Sequence, residues 1–159
     1  FPTPFDGVLK FNLVAGIVLA PEGRPVPLFE RFFMGGIFDV RGFQRNTLGP
    51  NIGVPNSSDP GSTLSPFNIG GNKQLYLNNE LEVPIVQAPV NLRGLLFFDI
   101  GNAFGEGQSI TLDQMRMSVG WGVRWMSPVG PLRFEWGIPL KPKPGEDPLV
   151  FAFTIGNSF

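Results

Sequence analysis

The 159-residue sequence contains no cysteine and no histidine. Without cysteine there is no disulfide framework, no thiolate metal site and no thiol nucleophile. Without histidine the commonest general base and metal ligand is missing, which excludes a Ser-His-Asp triad and a histidine zinc site. An enzyme built from this chain would depend on carboxylates alone.

The net charge is also small, and long apolar runs are absent. The formal net charge is −1, so a general electrostatic attraction to nucleic acid or anionic lipid is not expected. No apolar run reaches the length of about 18 residues that a transmembrane helix requires. No basic-then-apolar signal segment opens the chain, so we expect a processed mature chain or a piece of a longer one.

The chain is rich in phenylalanine, with 16 residues against a single tyrosine, and its 21 glycines and 17 prolines disfavour helices. Large apolar side chains alternate with small, polar or charged ones in several segments, which indicates strands. We predict one domain over residues 1–159, with strands near 5–20, 73–86, 90–101, 114–126, 131–140 and 148–159 and a long loop over 21–72.

The alternation fits two opposite arrangements. In a soluble sandwich the apolar face would pack inside, whereas in a membrane barrel it would meet lipid and the polar face would line the interior. Strands of roughly ten residues match a tilted membrane strand. The apolar faces of the later strands carry no charge, and Trp121, Trp125 and Trp136 suit interfacial girdles. These features favour an all-β, antiparallel transmembrane barrel. About six strands do not close one, so the chain is either part of a larger barrel or assembles with copies of itself or with missing strands, and we expect the former.

The long loop carries the stretch "MGGIFDVRGFQRN", and a loop of this length inside a domain is usually functional. Its arginine, Arg41, could be an exposed charge, a catalytic or anion-binding group, or a pin that docks the loop into a polar interior. The glycine-rich stretches lack the spacing of phosphate loops. A lone Asp99 is weak evidence for a metal site.

Four carboxylates share the polar face of the predicted strands and could form glycosidase-like pairs: Glu80, Glu82, Asp99 and Glu135. Three arginines lie on like-facing sides of these strands, namely Arg93, Arg124 and Arg133. This mixture favours a network of ion pairs inside a barrel over catalysis.

Five segments, in order, resemble the C-terminal part of the barrel of BamA-type outer-membrane proteins, which are related to two-partner secretion transporters. They are "FERFFMGGIFDVRGFQ", "GGNKQLYLNNELEVP", "LLFFDIGNAF", "MRMSVGWGVRWMSPVGPLRFEWGIPL" and "FAFTIGNSF". The resemblance implies the C-terminal portion of a 16-stranded barrel in the bacterial outer membrane. It also implies a long extracellular loop folded into the lumen.

In that family the arginine of the loop contacts acidic residues on the inner wall. The resemblance therefore implies a loop-pinning motif of Val40, Arg41, Gly42 and Phe43, with Glu80, Asp99 and Phe97 as its partners on the wall. A guanidinium suits this role because its planar fork of donors can bridge two carboxylates.

The resemblance also implies a weak seam at the last strand, which can open to template an incoming client strand. The matching residues are Phe151, Phe153, Gly156, whose family counterpart lets the strand kink inward, and the terminal aromatic Phe159.

The implied function is an outer-membrane protein assembly factor. Its partners would be unfolded β-barrel clients, membrane lipid and accessory lipoproteins bound through upstream domains. We expect no catalytic residue, cofactor, metal or nucleic acid. The alternatives are a two-partner secretion or other protein-translocating pore, a passive porin and a soluble β-sandwich binding module.

Overall fold

A computed structural model describes residues 6–21, 24–54, 65–87, 89–128 and 130–156 of the chain. The strands within these ranges are β1 Val8–Ile17, β2 Asn51–Val54, β3 Ser65–Asn68, β4 Lys73–Val86, β5 Leu92–Phe104, β6 Arg116–Ser127, β7 Gly130–Leu140 and β8 Val150–Ile155. Short 3-10 turns lie at Leu28–Glu30 and Leu112–Gln114. None of the helices in these ranges has the length and apolar character needed to cross a membrane.

Six strands form one antiparallel sheet in the order β1-β4-β5-β6-β7-β8, and β2 and β3 form a separate hairpin. Strands that are adjacent in the large sheet follow one another in sequence, except that the long loop separates β1 from β4. Within the described ranges β1 and β8 are the two edges, and the sheet is not closed. The predicted all-β, antiparallel fold is confirmed.

The two faces of the sheet have opposite chemistry. Apolar side chains such as Leu13, Leu96 and Phe151 are exposed on the outer face, whereas Asp99 and Glu135 on the inner face are buried. A soluble sandwich would bury the apolar face and expose the charges. The observed arrangement is the one that a membrane barrel requires, with lipid outside and a polar interior.

The long loop between β1 and β4 contains the β2–β3 hairpin and folds back over the inner face. Isolated bridges join Phe32 to Gly71 and Met34 to Leu48, which closes the loop on itself. Four of its buried apolar residues form one cluster with Ala103 of β5: Met34, Val40, Phe43 and Leu48. This apolar cluster attaches the loop to the wall, and it includes Val40 and Phe43 on either side of Arg41.

The last strand is shorter than its neighbours. It begins at Val150, two residues later than the predicted start, and ends at Ile155. The predicted seam residue Phe159 lies outside the described residues.

Candidate functional site

The tip of the long loop places Arg41 against β4 and β5. Its Nε lies 2.7 Å from Asp99 Oδ2 and its NH2 lies 2.8 Å from Asp99 Oδ1, so the guanidinium donates to both oxygens of one carboxylate. The NH1 group donates to Glu80 Oε2 at 2.7 Å. The backbone N–H of Arg41 also donates to Asp99 Oδ2, at 3.1 Å. Asp99 therefore binds both the side chain and the backbone of the loop.

These contacts are enclosed. Arg41 is 5% exposed and Asp99 is 0% exposed, and the guanidinium carbon lies 3.8 Å from the centre of the Phe97 ring. Burial alone would lower the pKa of Arg41, but its hydrogen bond to Asp99 and the nearby carboxylates raise the pKa above its ordinary value. The guanidinium is a permanent cation held by carboxylates and covered by an aromatic face.

A notch in the wall receives the loop backbone next to Arg41. Ser118 of β6 donates a hydrogen bond from its hydroxyl to the Arg41 carbonyl. Gly42 has a positive φ of 85°, and a Cβ on Gly137 would come within 2.4 Å of the Gly42 backbone. Gly120 is the direct cross-strand partner of Gly137. Gly137 thus lets the loop backbone approach the sheet directly, whereas Gly120 leaves room for the Phe97 ring, which would lie 2.3 Å from a Cβ at that position.

A wider ion network supports the carboxylates that bind Arg41. Arg124 bridges Glu80 and Glu82, at 2.7 Å from each. Arg93 lies 2.5 Å from Glu82, and Arg133 lies 2.8 Å from Glu135. These three arginines are direct cross-strand neighbours on β5, β6 and β7. Like charges opposite one another destabilise a sheet, so Glu82 and Glu135 are needed to balance this row.

Glu135 joins the network to the loop, because its Oε2 lies 3.6 Å from Arg41 NH1. That distance is too long for a hydrogen bond, and this buried oxygen has no hydrogen-bond partner in the described residues. Glu135 therefore acts on Arg41 as a charge, while Asp99 and Glu80 bind it directly.

Two further contacts tie the loop tip to the β7–β8 connection, residues 141–149. The guanidinium carbon of Arg116 lies 4.9 Å from the centre of the Phe43 ring, and its NH2 lies 2.5 Å from Glu146 Oε2. Beside it, Gln44 Nε2 donates to Asp147 Oδ2 at 2.6 Å. The loop thus contacts the segment that leads into β8.

The structure brings together seven residues that the sequence singles out: Val40, Arg41, Gly42, Phe43, Glu80, Phe97 and Asp99. Phe151 and Phe153 lie elsewhere, on the outer face of β8, and Gly156 follows that strand with a φ of 105°. Sequence reasoning missed Ser118 and Gly137. Their signal is a small residue at a polar-face position of each strand, but only the register reveals that the two lie beside the same loop residue.

No group of three or more acidic side chains in the described residues could hold a metal ion. The carboxylates of the site instead face guanidinium groups at salt-bridge distance. The arrangement can hold a loop against a wall, and it offers no pair of free carboxylates for acid–base chemistry.

An outward apolar face, an inward ionic face and a loop docked on that inner face define a segment of an outer-membrane β-barrel. The model of the Omp85 superfamily domain matches residues 3–159, and the chain belongs to that superfamily. The predicted location in the bacterial outer membrane is confirmed by this membership.

Within the superfamily the chain is similar to proteins named outer membrane protein assembly factor BamA. It is 32% identical to that of Neisseria meningitidis over 86% of this chain and 19% of the relative. It is 33% identical to that of Nitratidesulfovibrio vulgaris over 96% of this chain and 18% of the relative. The chain thus spans about a fifth of the length of these curated relatives.

The crystal structure of BamA from Haemophilus ducreyi, lacking POTRA domains 1-3, superposes with a TM-score of 0.72 at 22% identity. It is matched over 93% of this chain and 32% of that one. This likeness supports the fold, and together with the sequence relatives it confirms the predicted BamA-type barrel.

Proposed function

We propose that the protein containing this chain is an outer-membrane protein assembly factor. In this role the barrel inserts and folds unfolded β-barrel clients through a lateral seam at β8. The observation that carries the proposal is the shortness of β8, which has 6 residues against 11 in β7. A strand this short makes few backbone hydrogen bonds to the neighbour that would close a barrel, so its outer edge opens readily. Unpaired backbone groups of an edge strand are a template for an incoming strand.

The docked loop supports this function by fixing the wall next to the seam. Arg41 binds β4 and β5, while Phe43 and Gln44 contact Arg116 and the connection that precedes β8. A cavity of about 750 Å³ separates the loop from the inner side of β8. The loop therefore supports the wall while leaving space beside the edge for the inward side chains of a partner strand.

The proposed action is not enzymatic. It consists of presenting an edge and a lipid-facing wall, so that a client strand exchanges water for backbone hydrogen bonds. Clients are unfolded outer-membrane β-barrel proteins, and lipid contacts the apolar face. We place the binding of accessory lipoproteins on upstream domains, because the relatives are about five times as long as this chain.

The other functions considered at the sequence level have less support. A passive porin needs an open lumen, whereas here the loop occupies the inner face. A two-partner secretion pore would share the fold, but the relatives cited above are named as assembly factors.

Crosslinking from the edge strand tests the proposal. The chain has no cysteine, so one thiol introduced at Phe153 of β8 is unique within it. The complete protein is offered an unfolded client that carries one cysteine in its last strand. We expect a disulfide adduct. The matched control is a cysteine at Val119 of β6, a strand paired on both sides. Equal trapping at both sites, or none at Phe153, contradicts the proposal.

A further inference from the structure

The ladder between β7 and β8 ends where two prolines would meet. The pairs run from Leu132–Ile155 to Gly137–Val150. Continuing this register by two residues would place Pro139 of β7 opposite Pro148. β7 itself continues to Leu140 and stays paired with β6 to that end. The β7–β8 ladder therefore ends before β7 itself does.

The direction of the backbone groups shows why it stops. The N–H of Gly156 donates to the Pro131 carbonyl at 2.8 Å, which makes this pair a hydrogen-bonded one. Such pairs alternate along an antiparallel ladder, so every second residue of β7 from Pro131, up to Pro139, directs its backbone groups toward β8. A pair of Pro139 with Pro148 would fall on a hydrogen-bonded position at which neither residue has an N–H.

The connection before β8 is also held away from the ladder. In a continued register Glu146 and Asp147 would lie opposite the end of β7. Instead, Glu146 pairs with Arg116 at 2.5 Å and Asp147 accepts from Gln44 at 2.6 Å. The chain bends at Pro148 and Leu149 before entering β8.

We propose that Pro139 and Pro148 form a register stop that ends the terminal strand at Val150. Within the described residues, the edge available to a partner strand is then limited to Phe151–Ile155. Since Val150, Ala152 and Thr154 direct their backbone groups to β7, those of Phe151, Phe153 and Ile155 face the open edge. A partner strand thus has hydrogen-bonding positions along about five residues. This use of the edge rests on the proposed function, whereas the stop itself does not.

The test replaces both prolines with threonine, which restores two donors and favours extended backbone. Amide hydrogen exchange is followed in the complete protein carrying P139T/P148T, in lipid. We expect β8 to extend to residue 148. The amides introduced at positions 139 and 148, which the wild type lacks, should exchange at least tenfold more slowly than in an unstructured peptide. The amide of Val150, which faces β7, should exchange at least tenfold more slowly than in the wild type. P142T is the matched control, because it removes a proline of the same connection that is not opposite Pro139, and it should leave exchange of the Val150 amide unchanged.

A second variant covers the case in which the contacts of Glu146 and Asp147, and not the two prolines, keep the β7–β8 connection out of the ladder. P139T/P148T is combined with E146Q, which releases Arg116. If the amide introduced at position 148 and that of Val150 stay unprotected in both variants, the register stop is overturned. It is also overturned if E146Q alone extends the strand.

Client assembly by P139T/P148T is measured in parallel. A longer β8 should slow completion of client insertion about tenfold, since the backbone groups of Leu149 would add two hydrogen bonds to the client that must break before it leaves. An extended strand with unchanged insertion would keep the register stop and contradict the proposed role of the edge. The register stop is therefore tested by hydrogen exchange, and the proposed role of the edge is tested by client insertion.

Discussion

Replacing Asp99 with asparagine is the sharpest perturbation of the docked loop. The change keeps the shape of the side chain but removes the charge that binds two guanidinium nitrogens and one backbone N–H of Arg41. If the asparagine oxygen takes the place of Asp99 Oδ2, it can still accept from Nε and the backbone N–H of Arg41, but its own NH2 group then faces the NH2 group of Arg41. Removing one partner of a buried ion pair costs about 3–5 kcal/mol. We expect the lower end, because Glu80 still binds Arg41 at 2.7 Å and Glu135 lies at 3.6 Å.

A loss of about 3 kcal/mol changes an equilibrium constant by roughly 150-fold, since 1.4 kcal/mol is tenfold. Amide hydrogen exchange of the loop tip, residues 39–44, reads this change directly, because these amides exchange when the loop leaves the wall. Asp99→Asn should raise their exchange rate by about two orders of magnitude and leave β6 and β7 protected. The control is Asp113→Asn, which makes the same substitution at an exposed site in the β5–β6 loop.

A double-mutant cycle shows whether Asp99 acts through Arg41. In a protein that already carries Arg41→Leu, adding Asp99→Asn should change loop exchange by much less than it does in the wild type. Equal effects in both backgrounds would refute the reasoning. So would exchange that rises throughout the sheet, because the sheet and not the loop would then have lost stability.

Three further predictions concern the same loop and use the same exchange measurement. Gly137→Ala should displace the loop tip, because its Cβ would lie within 2.4 Å of Gly42. The control Gly107→Ala, whose Cβ would have nothing within 4 Å, should leave the loop in place. Equal effects of the two substitutions would contradict the close approach of Gly42 to Gly137. Ser118→Ala should raise loop exchange about tenfold, since a buried carbonyl without its donor costs about 1–3 kcal/mol; an unchanged rate would mean that this hydrogen bond contributes nothing. Burial raises the pKa of Asp39, and the charge of Asp99 adds to this effect, despite hydrogen bonds from Val40 and Gly35. Protonation of Asp39 therefore stabilises the docked loop. This stabilisation is complete below the ordinary aspartate pKa and is lost as the pH rises through the raised pKa of Asp39. Asp39→Asn should flatten the pH dependence of loop exchange in that window, and an unchanged slope would argue against a titrating Asp39.

Much of the wall could be predicted from the sequence, because side-chain alternation has a period of two that the strand geometry imposes. The outward position of Phe151 and Phe153 and the inward position of Glu80 and Asp99 follow from it. The pairing of those two carboxylates with Arg41 came from the resemblance to a family, since nothing local to Arg41 specifies partners 39 and 58 residues away.

The features that sequence reasoning missed depend on register. Ser118 and Gly137 lie far apart along the chain, and they meet the loop together only because β6 and β7 pair Gly120 with Gly137. The predicted start of β8 was two residues early for a related reason. The apolar alternation continues through Leu149, but only the β7–β8 register places Pro148 opposite Pro139 and shows that the ladder cannot include it.

The central claim is that a loop docked through Arg41 maintains a wall whose last strand assembles clients. It is tested most directly by comparing loop docking with client insertion in one set of variants of the complete protein: wild type, Asp113→Asn, Ser118→Ala, Gly137→Ala and Asp99→Asn. Docking is measured by hydrogen exchange and insertion by the rate at which a client becomes protease-resistant in lipid vesicles. The insertion rate should fall in the same order as the docked fraction. Full insertion by a stable Asp99→Asn protein with its loop undocked would contradict the account.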